Sequence, residues 1–386
     1  MVDYPKEWEE IKLVDIPIQI KKGDLITKKE IANGKIPVIA GGKSPAYYCN
    51  RYNREGTTIT VSASGANAGY VNLFYGQIFA SDCSTIEEDR GYCIEYIYYL
   101  MTKEQENIYK LQTGGAQPHV HPKDIEKLEI IYSRNIEEQK AIAETLMAFD
   151  RHIENLESLI EKKKMIRDGA VEDLMTGKTR LDGFEDEWEE VGFNDVIVPK
   201  ARIGWQGLKK DEYLQSGYSY LISGTDFNQG TISFSKISYV TKERYDLDIN
   251  IQVNSGDVLV TKDGTIGKVA IVPRIDRKAT LNSGVFVFKT NKKLTRNFLY
   301  WILRSSIFAK FIDDLSAGST IKHLYQKDLK KFSFYIPKDM SEQKAISSIL
   351  KSLDDDLQNL EKEKAKVEKI KAGAMDDLLT GRVRLI

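Results

Sequence analysis

With 386 residues, 41% of them hydrophobic and 29% charged, the chain has the make-up of an ordinary globular protein and enough length for two or three cores. Its net charge of −1 hides an uneven spread: residues 197–337 carry 22 Lys and Arg against 12 Asp and Glu, while 136–196 carry 8 against 17. Three cysteines without a C-x-x-C spacing exclude a disulfide framework, and no apolar run nears ~18 residues, so no membrane span or signal peptide is expected and the cytoplasm is the expected compartment.

The chain opens on YPKEWEE (4–10), and FEDEWEE (184–190) repeats it, so that Trp8 and Trp188 hold equivalent places ahead of a short strand. Alternating apolar runs at 58–62, 69–74, 257–261 and 284–288 predict strands bounded by Gly and Asn. Two Gly-rich loops follow strands, VSASGANAGY (61–70) and TKDGTIGK (261–268). Neither fits G-x-x-x-x-G-K-[ST] or G-x-G-x-x-G, which argues against a nucleotide site. A hairpin or bulge is one reading of these loops, and a backbone that approaches DNA is the other.

Residues 94–111 and 296–315 are apolar on one face at helical spacing and are expected to pack across a sheet. A second loop pair follows them, QTGGAQPHVH (112–121) and SAGSTIKH (316–323). These loops are short, polar and poor in bulky residues, which suits either a plain turn or contact with a groove. His119 and His121 lack a third candidate ligand for a metal. The stretch 111–132 recurs at 315–336 with a constant offset of 204, which sets His119 on His323, Asp124 on Asp328 and Lys127 on Lys331.

The same offset aligns 138–181 with 342–385, where about 20 positions are identical. In the first copy Ile142, Leu146, Phe149, Ile153, Leu156 and Ile160 step by four and three. In the second, Ile346, Leu350, Leu353, Leu357 and Leu360 do the same, with Val367, Ala374 and Leu378 beyond. That spacing predicts one narrow apolar seam on a helix of ~35–40 residues, roughly 55–60 Å long. Such a seam needs a partner, either its own repeat in an intramolecular coiled coil or a second chain. Thr176-Gly177 and Thr380-Gly381, each followed by a basic residue and Arg-Leu, are helix stops. The chain is thus two tandem halves, each a globular part followed by a long helix.

Catalytic patterns are missing: there is no Ser/His/Asp arrangement, no H-E-x-x-H, no Cys cluster and no Asn-Pro-Pro-aromatic tetrapeptide of amino-methyltransferases. Asp354, Asp355 and Asp356 read as a solvated helix face. A binding protein without cofactor or metal is expected.

Two unlike globular parts, each opened by a Trp-containing lead and closed by EQ-K-I-A…D…L…TG-[KR]-x-R-L, resemble the specificity subunits of type I restriction–modification systems. IPVIAGGKSPAYY (36–48) is also similar to text in the first recognition domain of that family, and the resemblance spans essentially the whole chain. Leu174-Met175 stands where the family's Leu-Leu would be. The resemblance implies an α+β architecture of two target recognition domains, 1–136 and 182–339, separated by two long helices, 137–181 and 340–386, that form an antiparallel intramolecular coiled coil. It implies a chain without catalytic activity that reads a split, asymmetric site in double-stranded DNA, the halves about a dozen base pairs apart. The implied partners are modification subunits, two per chain, which methylate adenine with S-adenosylmethionine, and an ATP-dependent restriction subunit; Leu159, Met165 and Ile349 are candidate docking residues on the helices.

Polar side chains are expected to read base edges while Lys and Arg neutralise phosphates. The expected DNA contacts are Lys43, Ser44, Ser64, Asn67, Gln112, Gln117 and His119 in the first domain. In the second they are Arg202, Gln206, Lys262, Thr265, Ser319, Lys322 and His323. The rival readings are a coiled-coil adaptor that joins proteins without reading DNA, and a methyltransferase or nuclease with unfamiliar motifs.

Overall fold

The computed structural model describes residues 5, 7–27, 29, 31–204, 207–316 and 323–386. The chain divides into two compact units, Met1–Leu159 with Leu360–Ile386, and Ile160–Asn359. Two long helices are present, Ile136–Met175 of 40 residues and Met340–Leu378 of 39. Each begins among the residues of one unit and ends among those of the other. All the predicted seam residues are buried or half-buried.

In the first unit the lead strand Trp8–Lys12 pairs antiparallel with Glu129–Ser133, just ahead of the first long helix. The β-branched run Thr57–Ser62 favours an extended, buried strand. It lies inside an antiparallel sheet ordered Lys21–Lys22, Cys83–Glu87, Thr57–Ser62, Val71–Tyr75. A smaller sheet joins Tyr47–Cys49, Ile31–Ile39 and Phe79–Ala80. Tyr96, Ile97, Leu100 and Ile108 bury against Ile59 and Val61, and the same core takes Ile142 and Leu146 from the first long helix, Leu378 from the end of the second and Leu379 just after it. Each such fully buried aliphatic contributes about 1.5–3 kcal/mol.

The helix expected over 94–111 is two helices, Ile94–Lys103 and Gln105–Lys110, parted at Glu104 (φ −87°, ψ 12°). The turn lets the Gln105 amide tie down the sheet edge: it accepts from the Val71 N–H at 3.0 Å and donates to the Gly69 carbonyl at 2.8 Å.

The second unit repeats this plan with an addition. Strand Glu189–Gly192 pairs with Ser333–Ile336, and the main antiparallel sheet runs Ile197–Ala201, Val285–Thr290, Val258–Thr261, Val269–Ile271. A second four-stranded sheet, ordered Ser238–Val240, Ser219–Ile222, Ala279–Leu281, Gln252–Val253, has no counterpart of that size in the first unit among the described residues. The helix expected over 296–315 is again two, Arg296–Arg304 and Ser306–Ser316. Ser305 is extended, its hydroxyl donates to the Ile302 carbonyl at 2.8 Å, and it accepts from the Ile307 N–H at 3.3 Å, so one side chain ends the first helix and starts the next. Phe298, Leu299, Trp301 and Ile302 pack on Val258 and Phe288, joined by Ile346 and Leu350 from the start of the second long helix and Leu174 and Met175 from the end of the first.

The first turn of each long helix explains the shared Glu-Gln text. Glu138 is fully buried: it accepts from the Trp8 indole N–H at 2.9 Å and the Ser133 hydroxyl at 3.0 Å, and pairs with Arg384. In the second unit the equivalent Glu342 accepts from Trp188 at 3.3 Å and pairs with Arg180 at 2.8 Å. Gln139 and Gln343 are buried beside them: each amide nitrogen donates to backbone carbonyls of the preceding strand or its end, Ser133 and Pro337, and each amide oxygen accepts a backbone N–H at the start of the covering helix. The helix-stop glycines meet the same tryptophans. Gly381 (φ +69°) lies against the Trp8 ring and Gly177 (φ +70°) against Trp188, in a left-handed conformation that ends a helix cheaply only for glycine.

Further pairs join the helix segments inside each unit. In the first, Lys371 pairs with Asp150 and Lys364 with Glu157 at 2.7 Å. In the second, Arg167 pairs with Asp354 at 2.5 Å and Lys163 with Asp356 at 3.6 Å. In each unit residue numbers fall along one helix as they rise along the other. Tyr99 donates to Asp150 at 2.6 Å, and burial together with that carboxylate pushes the Tyr99 hydroxyl well above its ordinary range.

Arg384→Ala leaves the buried Glu138 carboxylate short of its charged partner. An expected loss of about 1–3 kcal/mol follows, read from the urea unfolding midpoint, and Arg180→Ala should do the same through Glu342. Lys140→Ala, which breaks only the exposed pair with Glu137, should leave the midpoint in place.

Candidate nucleic-acid interface

The two Gly-rich loops and the two histidine loops, expected separately from sequence, meet within each unit. In the first, the Ala63 N–H donates to the Asp82 carbonyl at 3.1 Å and the Val120 N–H donates to the Ala63 carbonyl at 3.0 Å. In the second, the Lys262 N–H donates to the Gly284 carbonyl at 2.9 Å and the Leu324 N–H to the Lys262 carbonyl at 2.8 Å. Isolated bridges then pair Ser64 with His119 and Asp263 with His323. The same backbone frame therefore sets Ala63, Ser64 and Asp82 in one unit where Lys262, Asp263 and Gly284 stand in the other.

The glycines of these loops divide into two kinds. Gly69 (φ +88°) and Gly267 (φ +80°) close the loops by donating to the Ser62 and Thr261 carbonyls, and a Cβ there would meet Ile108 at 3.1 Å and Ile312 at 3.3 Å. They are packing positions. Gly65 (φ +82°) and Gly264 (φ +70°) stand at the tips with nothing within 4 Å of a Cβ. Bare backbone at a tip is free to approach a ligand.

Of the residues expected to contact DNA in the first unit, Lys43, Ser44 and Gln117 are exposed, and Ser64, Asn67, Gln112 and His119 are half-buried. The Lys43 ammonium lies 5.0 Å from the centre of the Tyr70 ring, and its carbonyl accepts from the Asn72 amide at 3.2 Å, which brings the 41–44 loop beside the Gly-rich loop. Gln112 donates to the Ala68 carbonyl at 2.8 Å, so its amide braces the loop. The Ser64 hydroxyl donates to the Asp82 carboxylate. His119 exchanges both backbone hydrogen bonds with Thr113, and its ring stacks on His121 with centres 6.4 Å apart. A cleft of about 340 Å³ lies below, lined by Lys22, Asp24, Ser81, Asp82, His119 and His121 among others.

In the second unit Thr265 and His323 are exposed and Lys262 is half-buried with its ammonium 5.8 Å from the Phe286 ring centre. His323 Nδ1 lies 2.6 Å from the Asp263 carboxylate. Gln206, Ser319 and Lys322 lie outside the described residues. The expectation for Arg202 fails on burial: its side chain is 3% exposed, with Nε donating to the Leu281 carbonyl at 3.0 Å and Nη2 to the Thr280 hydroxyl at 3.5 Å. Burial, with Arg244 nearby, holds its guanidinium below the ordinary value. Arg202 ties strands together and is not a phosphate contact.

Asp82 and Asp263 were missed. Both are acidic residues in segments whose basic and amide groups suggested the DNA contacts. The constant offset of 204 does not align them, and neither does the shift of five that sets Ser64 on Asp263, because the two carboxylates stand on non-equivalent positions of the shared frame. The rule that could have found them is the position itself, one residue from a tip glycine or just ahead of a central strand.

A family model described as "Type I restriction modification DNA specificity domain" matches residues 5–163 and 185–369. The chain is similar to the specificity subunit of type I restriction enzyme MjaVIII of Methanocaldococcus jannaschii, 27% identical over 416 residues that cover 99% of this chain and 94% of the relative. It is also similar to the putative MjaX specificity subunit of that organism, 30% identical over 302 residues, 75% of this chain and 68% of the relative. The crystal structure of a type I restriction–modification S subunit from M. genitalium shares the fold, with a TM-score of 0.70 at 21% identity over 98% of both chains.

Gly69→Ala forces a Cβ into Ile108 as well as a left-handed backbone and should destabilise the first unit more than Gly65→Ala. The latter carries only the conformational term of about 1–2 kcal/mol, and comparative thermal unfolding of the two variants reads the difference.

Proposed function

The chain belongs to the family of type I restriction–modification DNA specificity proteins and is a specificity subunit without catalytic activity of its own; from that premise we propose how it reads DNA. We infer that the long helices form one antiparallel intramolecular coiled coil, with target recognition domains at 1–136 and 182–339 and spacer helices at 137–181 and 340–386. The observation that carries this is reciprocity: Glu138 pairs with Arg384 and Glu342 with Arg180, positions exactly one repeat apart. Each carboxylate near the start of one copy is matched from the end of the other.

The tip loops then read two unlike half-sites. In the first domain Lys43, Ser44, Ser64, Asn67, Gln117 and His119 face DNA, with Gln112 as their brace. In the second, Lys262, Thr265 and His323 do so, and Gln206, Ser319 and Lys322 complete the proposal from sequence. Lys and Arg in the basic segment 197–337 supply the phosphate contacts that position the duplex, and polar side chains choose the base.

Methyl transfer to adenine and ATP-driven restriction belong to partners, two modification subunits and a restriction subunit, in the cytoplasm. Leu159, Met165 and Ile349 are 40–76% exposed on the long helices and form part of the proposed docking surface. Among the described residues no helix is long and apolar enough to cross a membrane.

With its modification subunit the chain should direct methylation to a single split motif of unequal halves. Methylation that is unchanged when this chain is left out would contradict the reading. Lys262→Ala should weaken binding evenly across sequences and lower the slope of log K against log salt by about 1, measured by titration at several salt concentrations.

A further inference from the structure

The backbone frame shared by the two tip sites holds a carboxylate in both, but supplies it from different strands. In the first unit the residue before the tip glycine is Ser64, and the carboxylate is Asp82, across the sheet, which takes the Ser64 hydroxyl. In the second the residue before the tip glycine is Asp263, and the position across the sheet is Gly284, against which the Asp263 side chain lies, 3.5–4.0 Å from the place of a Cβ. Ser64 with Asp82 has become Asp263 with Gly284. The charge is kept at one spot while its origin is exchanged, and a histidine pairs with the loop beside it in both units. A residue needed only for backbone geometry has no reason to be preserved in this crossed fashion.

We propose that Asp82 and Asp263 are specificity-determining residues, each accepting a hydrogen bond from the exocyclic amino group of a cytosine or adenine at one position of its half-site. The inference rests on the reading of these loops as the DNA interface. A carboxylate placed toward a polyphosphate is repelled unless it meets a donor, and in the major groove the donors are cytosine N4 and adenine N6. Asp82 is exposed, and the Asp263 side chain is one third exposed in a segment with a net charge of about +10, from 22 basic and 12 acidic residues. Each has an oxygen to offer: Asp263 uses Oδ1 toward His323, Asp82 uses Oδ2 toward Ser64, and among the described residues neither second oxygen takes a hydrogen bond. His323 and Ser64 fix the carboxylates before the base arrives, which limits the ordering that binding would otherwise require.

The test is the methylated motif made by the full chain with its modification subunit on DNA randomised across both half-sites. Asp263→Asn and Asp82→Asn keep size and hydrogen bonding but put an amide donor where only acceptors stood, so the affected position should also admit guanine or thymine. The preference for an amino-bearing base should fall by roughly ten- to a hundredfold at one position. Asp82→Asn should change one half-site and Asp263→Asn the other, and the untouched half-site in each variant controls for folding. An unchanged motif in both variants, or a loss spread evenly over both halves, would overturn the proposal. If the unsubstituted chain directs no motif at all, the DNA-reading function falls first and this inference with it.

Discussion

A carboxylate with no exposure needs a counter-charge, and in this chain the counter-charge for Glu138 and Glu342 comes from the far copy of the same sequence element. Its own copy does not supply it, for a reason of length. Glu138 and Arg180 stand near opposite ends of the first copy, with most of the 40-residue helix Ile136–Met175 between them in sequence. Within each unit the arginine comes instead from just past the end of the other copy's helix. Asp150 with Lys371 and Asp354 with Arg167 follow the same rule, again one repeat apart. Within each unit a residue near the start of one copy thus meets a residue near the end of the other, and the second unit repeats the pairing with the roles of the copies exchanged. Removing the arginine of either clasp would strand a buried carboxylate, which is more costly than the pair is stabilising.

That constraint frees the rest of each globular part to differ. The hydrogen bonds that hold the tips are the same in both units, from Ala63 and Lys262 outward. What varies is the side-chain chemistry set on them: Ser and Asp in one, Asp and Gly in the other, with a second sheet of four strands in the second unit where the first has three. A fixed frame with exchangeable tips is the physical form of a subunit whose two halves recognise different sequences while partners do the chemistry.

The repeat, the helix lengths and the stop glycines were legible because each depends on local periodicity and on text copied at a constant offset. The Gly-rich loops and the loops of His119 and His323 were each legible on their own, but their meeting was not. Other features required the third dimension. Nothing in the spacing of 94–111 or 296–315 marks Glu104 or Ser305 as breaks, since the causes are a Gln105 amide reaching a strand end and a serine capping both ways. The Gly-rich loops read equally as turns or as backbone that approaches DNA, and only the fold separates Gly69 and Gly267, packed against Ile108 and Ile312, from the open Gly65 and Gly264. Arg202 read as a phosphate contact because a charge in a basic segment is taken as exposed, whereas burial and strand carbonyls claim it.

The most direct measurement is a set of double-mutant cycles on unfolding free energy across the two clasps. Glu138 with Arg384 and Glu342 with Arg180 should each show coupling of about 1–3 kcal/mol, independent of protein concentration, while Glu138 with Arg180 shows none. Coupling within a copy, or coupling that appears only as concentration rises, would mean that the helices pair in another way and would contradict the account.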